Sequence, residues 1–424
     1  MVASTDIKFY VHTNSNAPQL QNAFGSMISV LDACLVNGIN IGPISSLTAS
    51  GTTITALFSS AHNLMQYQVI KITGAAQSEF NGEHRILTVP NAQSVTFELA
   101  FVPSVSQATG TVSASLPPLG WEKPFSSSNP SGGGKAAYRS KNLLLPSRPF
   151  LRVVDELDPA YTVTYAKYAK VGLVEDMTDI NTMLGVQAPF DSSNPGRNWI
   201  ASGSDSNVVN GWSKWYYALE GSFYSSTSES GIPTSGSRSW VVVGDSDYFY
   251  IFPTTMAGDS FAATYGFGVF DSLLNIDTAN SFLSSSLIEL GVTAADRQPK
   301  TRYTGLGSTS VQGATLLQRR YDNQPNHTLA KTLSLGVSSS IESGRFNYIN
   351  DTSLTNVVPF APVFLFDDVL RGILKGFYWL FQDKPYLNLE AIEKNKELFV
   401  AINVAVGVGV AGYKGQIIVK VGGI

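Results

Sequence analysis

One cysteine, Cys34, is all that 424 residues supply, so an intramolecular disulfide framework and a multi-cysteine zinc site are both excluded. Histidine is nearly as scarce: His12, His62, His84 and His327 are scattered and form no His-x-x-x-His or His-Glu pair. Charged residues are 14% of the chain, against roughly 25% in typical soluble domains. With 28 basic and 32 acidic residues the net charge is −4, which gives no electrostatic footprint for nucleic acid. No stretch reaches the roughly 18–20 apolar residues that span a bilayer. Met1-Val2-Ala3-Ser4-Thr5-Asp6 has no basic region followed by an apolar run, so no signal peptide is expected and synthesis in a cytoplasm is.

What the chain does have is apolar bulk. Hydrophobic residues are 43% of it, enough for a large core. A chain of this length with so little charge is expected to bury surface against copies of itself.

Residues 7–12 read as a short strand. Pro18 then suits a helix start, and Leu20, Phe24, Met27, Ile28, Leu31 and Leu35 recur at spacings of three and four, until Asn37-Gly38 supplies a C-cap. Cys34 lies near this apolar stripe and reads as a buried, unreactive thiol.

From Ile44 onward the period becomes two. Thr52–Phe58, Tyr67–Ile72, His84–Val89, Val95–Leu99 and Gly110–Ala114 read as strands separated by turn residues, with Asn81-Gly82 a type I′ hairpin signal. They make a small all-β sandwich or barrel module, inserted in or appended to a larger β-rich scaffold. The expected division is 1–43 as scaffold strand and helix, 44–116 as the module, and 117–424 as the remaining scaffold. Further strands are expected at 150–154, 171–174, 398–410 and 417–421, and a hairpin at Trp240–Phe252 around Gly244-Asp245-Ser246-Asp247. Ser/Gly-rich stretches at 202–210 and 225–237 read as loops. Helices are expected at 271–290 and, more strongly, at 367–381, where Val369, Leu370, Ile373, Leu374, Phe377, Tyr378 and Phe381 share a face. The fold class is mainly β with a few helices.

Chemical motifs do not hold up under their own requirements. Gly407-Val408-Gly409-Val410-Ala411-Gly412 matches a dinucleotide fingerprint by letter, but a strand follows it where a helix is needed, and it reads as a β-turn or bulge. Ser131-Gly132-Gly133-Gly134-Lys135 lacks the leading glycine and the Ser/Thr of a phosphate loop and reads as a flexible loop. Asp155, Glu156 and Asp158 look like a turn, Glu175, Asp176 and Asp179 like a helix start, and Asp367-Asp368 like a helix N-terminus. No Gly-x-Ser-x-Gly elbow occurs. No catalytic residue, cofactor or metal ligand is assigned, and the chain is read as a non-enzyme.

Two aromatic clusters remain. Trp212, Trp215, Tyr216 and Tyr217 lie beside Ser-rich loops and, if exposed, would stack on sugars; core packing is the alternative. Ile373, Phe377, Tyr378, Trp379 and Phe381 crowd the expected C-terminal helix on more than one side, which predicts burial against a neighbouring subunit.

A run of local motifs carries a family likeness. Gly25-Ser26-Met27-Ile28-Ser29-Val30-Leu31-Asp32-Ala33-Cys34-Leu35-Val36-Asn37-Gly38 is followed by Ala61-His62-Asn63-Leu64, Ile72-Thr73-Gly74, Phe80-Asn81-Gly82, Val95-Thr96-Phe97 and Ala108-Thr109-Gly110-Thr111. Gly120-Trp121-Glu122-Lys123-Pro124-Phe125, Ala137-Tyr138-Arg139-Ser140, Leu151-Arg152-Val153 and Glu175-Asp176-Met177-Thr178-Asp179 continue it. These segments resemble a group of tailed-bacteriophage virion proteins, with the tail sheath of short-tailed phages that package a giant virion RNA polymerase as the nearest likeness. The likeness covers residues 7–185 and the Trp240–Phe252 hairpin, and fades in the C-terminal third. It implies a structural tail protein, assembled in the bacterial cytoplasm into a symmetric ring of copies. The implied partners are other tail proteins (tube, portal or adaptor, fibres), with no direct nucleic-acid contact. A head decoration or head–tail adaptor protein, a receptor- or glycan-binding tail protein and a surface hydrolase are the alternatives.

Overall fold

Period-two patterning governs most of the chain, and in the computed structural model it becomes three antiparallel sheets. The structure describes residues 2–203, 208, 211–223, 229–287, 315–334, 360–380, 384–406 and 413–424. The mainly β expectation is met.

The first sheet has seven strands in the order Gly82–Arg85, Val69–Ala75, Gly110–Leu116, Ile39–Ser50, Thr53–Phe58, Ser94–Glu98, Thr88–Asn91. Its long strand Ile39–Ser50 serves two neighbours, pairing first with Gly110–Leu116 and then with Thr53–Phe58, with register shifts at Asn40/Gly42 and Ile44/Ser46. Such bulges bend a strand. The two halves of the sheet therefore close over shared inward residues, among them Ile54, Ile70, Ile72 and Phe97. This sheet begins inside the segment expected to be scaffold, and its apolar interior is continuous with Leu31, Trp121, Trp215 and Tyr265. Arg85 ties it further, donating to the carbonyls of Ser4 (2.9 Å), Ile7 (2.9 Å) and Tyr67 (2.6 Å).

The second sheet runs Ser286–Leu287, Ser213–Ala218, Lys167–Met177, Phe150–Glu156, Gly133–Ser140, Trp121–Ser128, with Met183–Ala188 also paired to Lys167–Met177. It packs on one face of the third sheet. That third sheet has thirteen strands: Lys8–Val11, Trp240–Gly244, Tyr248–Pro253, Tyr265–Val269, Ser281–Ser284, Thr315–Leu317, Thr328–Ser334, Phe360–Phe366, Leu370–Leu380, Tyr413–Gly423, Glu397–Val406 and Ala391–Lys394 in order, plus Asp271–Ser272 beside Leu370–Leu380. A parallel bridge between Ala262 and Val404 curls this sheet back on itself. The enclosed face holds a second apolar core, with Tyr250, Phe252, Phe377, Val400 and Ile417 among its members.

Several expectations are corrected. Residues 367–380 form no helix: Leu370–Leu380 is a strand, and Asp367-Asp368 lie in the turn before it. Gly372 and Gly376 each disfavour a helix by about 1 kcal/mol, and Gly376 sits at φ +62° where a helix cannot continue. Over its described part, 271–287, the expected 271–290 helix is likewise replaced, by the strands Asp271–Ser272, Ser281–Ser284 and Ser286–Leu287. The N-terminal helix starts at Ser26 rather than Pro18, after Gly25 at φ +87°, and passes into a π-helical segment, Asp32–Asn37. Gly38, at φ +78°, ends it as expected.

At Asn81 the backbone is extended, so no type I′ turn forms; its side chain instead bonds Ala75 through both N–H and C=O. Residues 129–132 form the tip of a β-hairpin between Trp121–Ser128 and Gly133–Ser140, so Ser131 and Gly132 lie in the turn while Gly133, Gly134 and Lys135 are already strand. Asp155, Glu156, Glu175 and Asp176 all lie in strands. The Gly407–Gly412 motif lies outside the described residues, as do large parts of the Ser/Gly stretches.

Candidate subunit-contact face

Strand Phe360–Phe366 reads Phe-Ala-Pro-Val-Phe-Leu-Phe, and alternation sends Ala361, Val363 and Leu365 into the second core. Phe360, Pro362, Phe364 and Phe366 therefore face the other way, the first three half-buried and Phe366 exposed. Residues directly opposite in a ladder share a face. Lys331 lies opposite Phe366, Leu370 opposite Phe366, and Ile373 opposite both Phe364 and Asp271. One outward face thus carries, strand by strand, Lys331 and Leu329, then Phe366 and Phe364, then Leu370 and Ile373, then Asp271. Leu329 is 37% exposed, Phe366 36% and Leu370 43%. Leu273 and Ile276 follow in the adjoining loop and are more exposed still.

A buried charge cluster fixes this end of the sheet. Arg371 donates to Asp367 Oδ2 at 2.7 Å, Asp277 Oδ2 at 2.8 Å and the Arg319 backbone carbonyl at 3.0 Å, and the side chains of Arg371, Asp367 and Asp277 are all nearly sealed from solvent. The turn that displays Phe366 and Leu370 and the loop that displays Leu273 and Ile276 are thereby riveted to one guanidinium. Farther along, Arg319 pairs with Glu175 at 2.5 Å.

Of the C-terminal residues expected at an interface, Ile373 and Tyr378 are half-buried on this outward face. Phe377 and Trp379 point inward, into the second core. Phe381 lies outside the described residues. Of the two readings of Trp212, Trp215, Tyr216 and Tyr217, the structure has core packing: all four are buried, so none is an exposed aromatic. Trp215 stacks on Tyr265 with centroids 5.8 Å apart, and its Nε1 donates to Ser284 O at 2.8 Å. Arg197 covers the Trp212 ring at 4.2 Å, and the Tyr216 hydroxyl donates to Glu229. An unbroken Ser-Lys-Trp-Tyr-Tyr-Ala run without alternation is the pattern of a strand covered on both faces.

Titratable groups elsewhere are used structurally. Burial pushes Asp155 up to about 6, against the pull of the Tyr217 hydroxyl and of the Met27 and Ile28 amides that it accepts from. Asp245, also raised to about 6 by burial, accepts from the amides of Asp247 and Tyr248 at its hairpin tip. Burial pushes the Cys34 thiol well up. An open cleft of about 750 Å³ separates Phe24–Ser29 from Ser126–Ser128, and its two lysines are already paired, Lys123 with Asp32 and Lys135 with Glu156. Among the described residues no cluster of three or more His, Cys, Asp or Glu side chains is placed to hold a metal ion.

No protein-family model matches this chain, and no curated protein matches it. Among solved structures, "Phage phi92 endosialidase" aligns with 91% of this chain at 8% identity and a TM-score of 0.16. The alignment spans about half of that chain (51%). A score that low carries no argument about fold or activity.

Proposed function

We propose that this chain is a structural component of a bacteriophage virion that assembles symmetrically with copies of itself, and that its place is the tail, as a sheath or a ring around the tube. The observation that carries self-assembly is the outward face just described. A chain with 14% charged residues presents an apolar row there, framed by charges and held rigid from below. The phage assignment is supported by the sequence likeness over residues 7–185.

Faces suit this role better than strand edges do. At one end of the large sheet, Gln68 and Arg85 donate to the carbonyls of Phe9 and Ile7 around the strand Lys8–Val11. At the other end, the strand Glu397–Val406 is flanked by Ala391–Lys394, then by Glu390, Asn388 and Ala262. The last strand is four residues long and carries Glu393 and Lys394, a pattern that discourages edge pairing. A glycan-binding role would need the 212–217 aromatics at the surface, and they are internal.

Mass measurement of the purified full chain across a concentration series tests self-assembly. Discrete multiples of the chain mass, with closed rings in negative stain, are expected. A monomer at every concentration would overturn the reading.

A further inference from the structure

Self-assembly needs a surface, and this inference rests on the reading above. We infer that the outward face of the strands Thr328–Ser334, Phe360–Phe366 and Leu370–Leu380 seats a second copy of this chain, Lys331 of each copy meeting Asp271 of the other.

The charges are arranged for such a pairing. Lys331 is exposed on one flank of the apolar row and makes no ion pair among the described residues. Asp271 stands on the opposite flank, its side chain 65% exposed and only 3.5 Å from Lys375 on one side. Phe366, Phe364, Leu370 and Ile373 fill the strands between them. Neighbouring strands are about 4.8 Å apart, so the two flanks are on the order of 14 Å apart. A two-fold axis lying in the plane of contact and bisecting the line from Lys331 to Asp271 carries each onto the other. The same operation lays the apolar row on itself, which is the isologous arrangement of a symmetric pair; the pair is then the unit that head-to-tail contacts elsewhere on the chain close into a ring. Cation meets carboxylate twice, and Phe366 and Leu370 lose their exposed area at the centre.

Rigidity supports the same assignment. Because Arg371 holds Asp367 and Asp277, the tips carrying Phe366, Leu370, Leu273 and Ile276 need little ordering when a copy arrives.

The test is self-association of the full chain by sedimentation, comparing wild type with Lys331→Glu, Asp271→Lys and the double variant, each with its thermal unfolding recorded. Either single change sets like charges against each other and is expected to weaken association at least about tenfold. The double variant restores opposite charges and is expected to recover to within about threefold of wild type. Phe366→Ser with Leu370→Ser should abolish association while the unfolding midpoint stays close to wild type. Wild-type association left unchanged in all the variants would overturn this surface while leaving self-assembly standing. Single variants that weaken without recovery in the double would overturn the Lys331–Asp271 pairing. A wild-type chain that never associates would overturn the functional reading and this surface with it.

Discussion

The Tyr217 hydroxyl donates to Asp155 Oδ1 at 2.6 Å, in a site closed to solvent where the other carboxylate oxygen receives the Met27 amide. One side chain thus joins the N-terminal helix to two strands of the second sheet. Burial keeps this carboxyl near 6 instead of its ordinary 3.8.

That shift has a sign. A carboxyl raised on folding binds its proton more tightly in the native state. Its contribution to stability is therefore full below about pH 4 and is lost as pH rises through about 6. The loss is on the order of 2–3 kcal/mol. Asp155→Asn removes the titration, so its cost relative to wild type should be larger at pH 4 than at pH 7. Denaturant melts of both proteins at the two pH values check this; an equal cost at both would contradict it.

Arg371 anchors two carboxylates with almost no solvent access. Arg371→Met would leave Asp277 and Asp367 buried without their cation, and should destabilise the chain by about 3–5 kcal/mol. Urea unfolding measures it. A change under about 1 kcal/mol would mean the cluster is open to water in solution.

All six tryptophans are buried, Trp215 and Trp240 completely. The native chain should emit at short wavelength and resist acrylamide quenching, and oligosaccharides should not perturb that emission. Efficient quenching of the native protein would put the 212–217 aromatics back at the surface.

Arg85 spends its donors on backbone carbonyls of Ser4, Ile7 and Tyr67. Arg85→Ala should free the N-terminal arm from the first sheet, raising amide exchange at residues 4–8 well before global unfolding. Unchanged exchange there would show that the arm is held by its other contacts, such as Ser4 N–H to Gly423 O.

Much of the β architecture was legible because alternation is a local signal. Val95–Leu99 and the hairpin around Gly244–Asp247 need only their own residues to be read. The strand Leu370–Leu380 reads as a helix in the sequence because its apolar residues also fit spacings of three and four. The two glycines were the countersignal, and the bulge around Gly376 disturbs the alternation that would have revealed the strand. Core packing of Trp215 and Tyr217 is readable from the sequence, but the residues that cover them, Tyr265 and Asp155, are not, being distant in sequence. The proposed contact face is the least legible part. It is assembled from Asp271, Lys331, Phe366 and Leu370, and only the ladder register brings these to one side.

Electron microscopy of purified virions labelled with antibody to this chain tests the tail assignment most directly. Label along the tail in regular multiples is the expected result. Label confined to the head, or none on intact or opened particles, would contradict it.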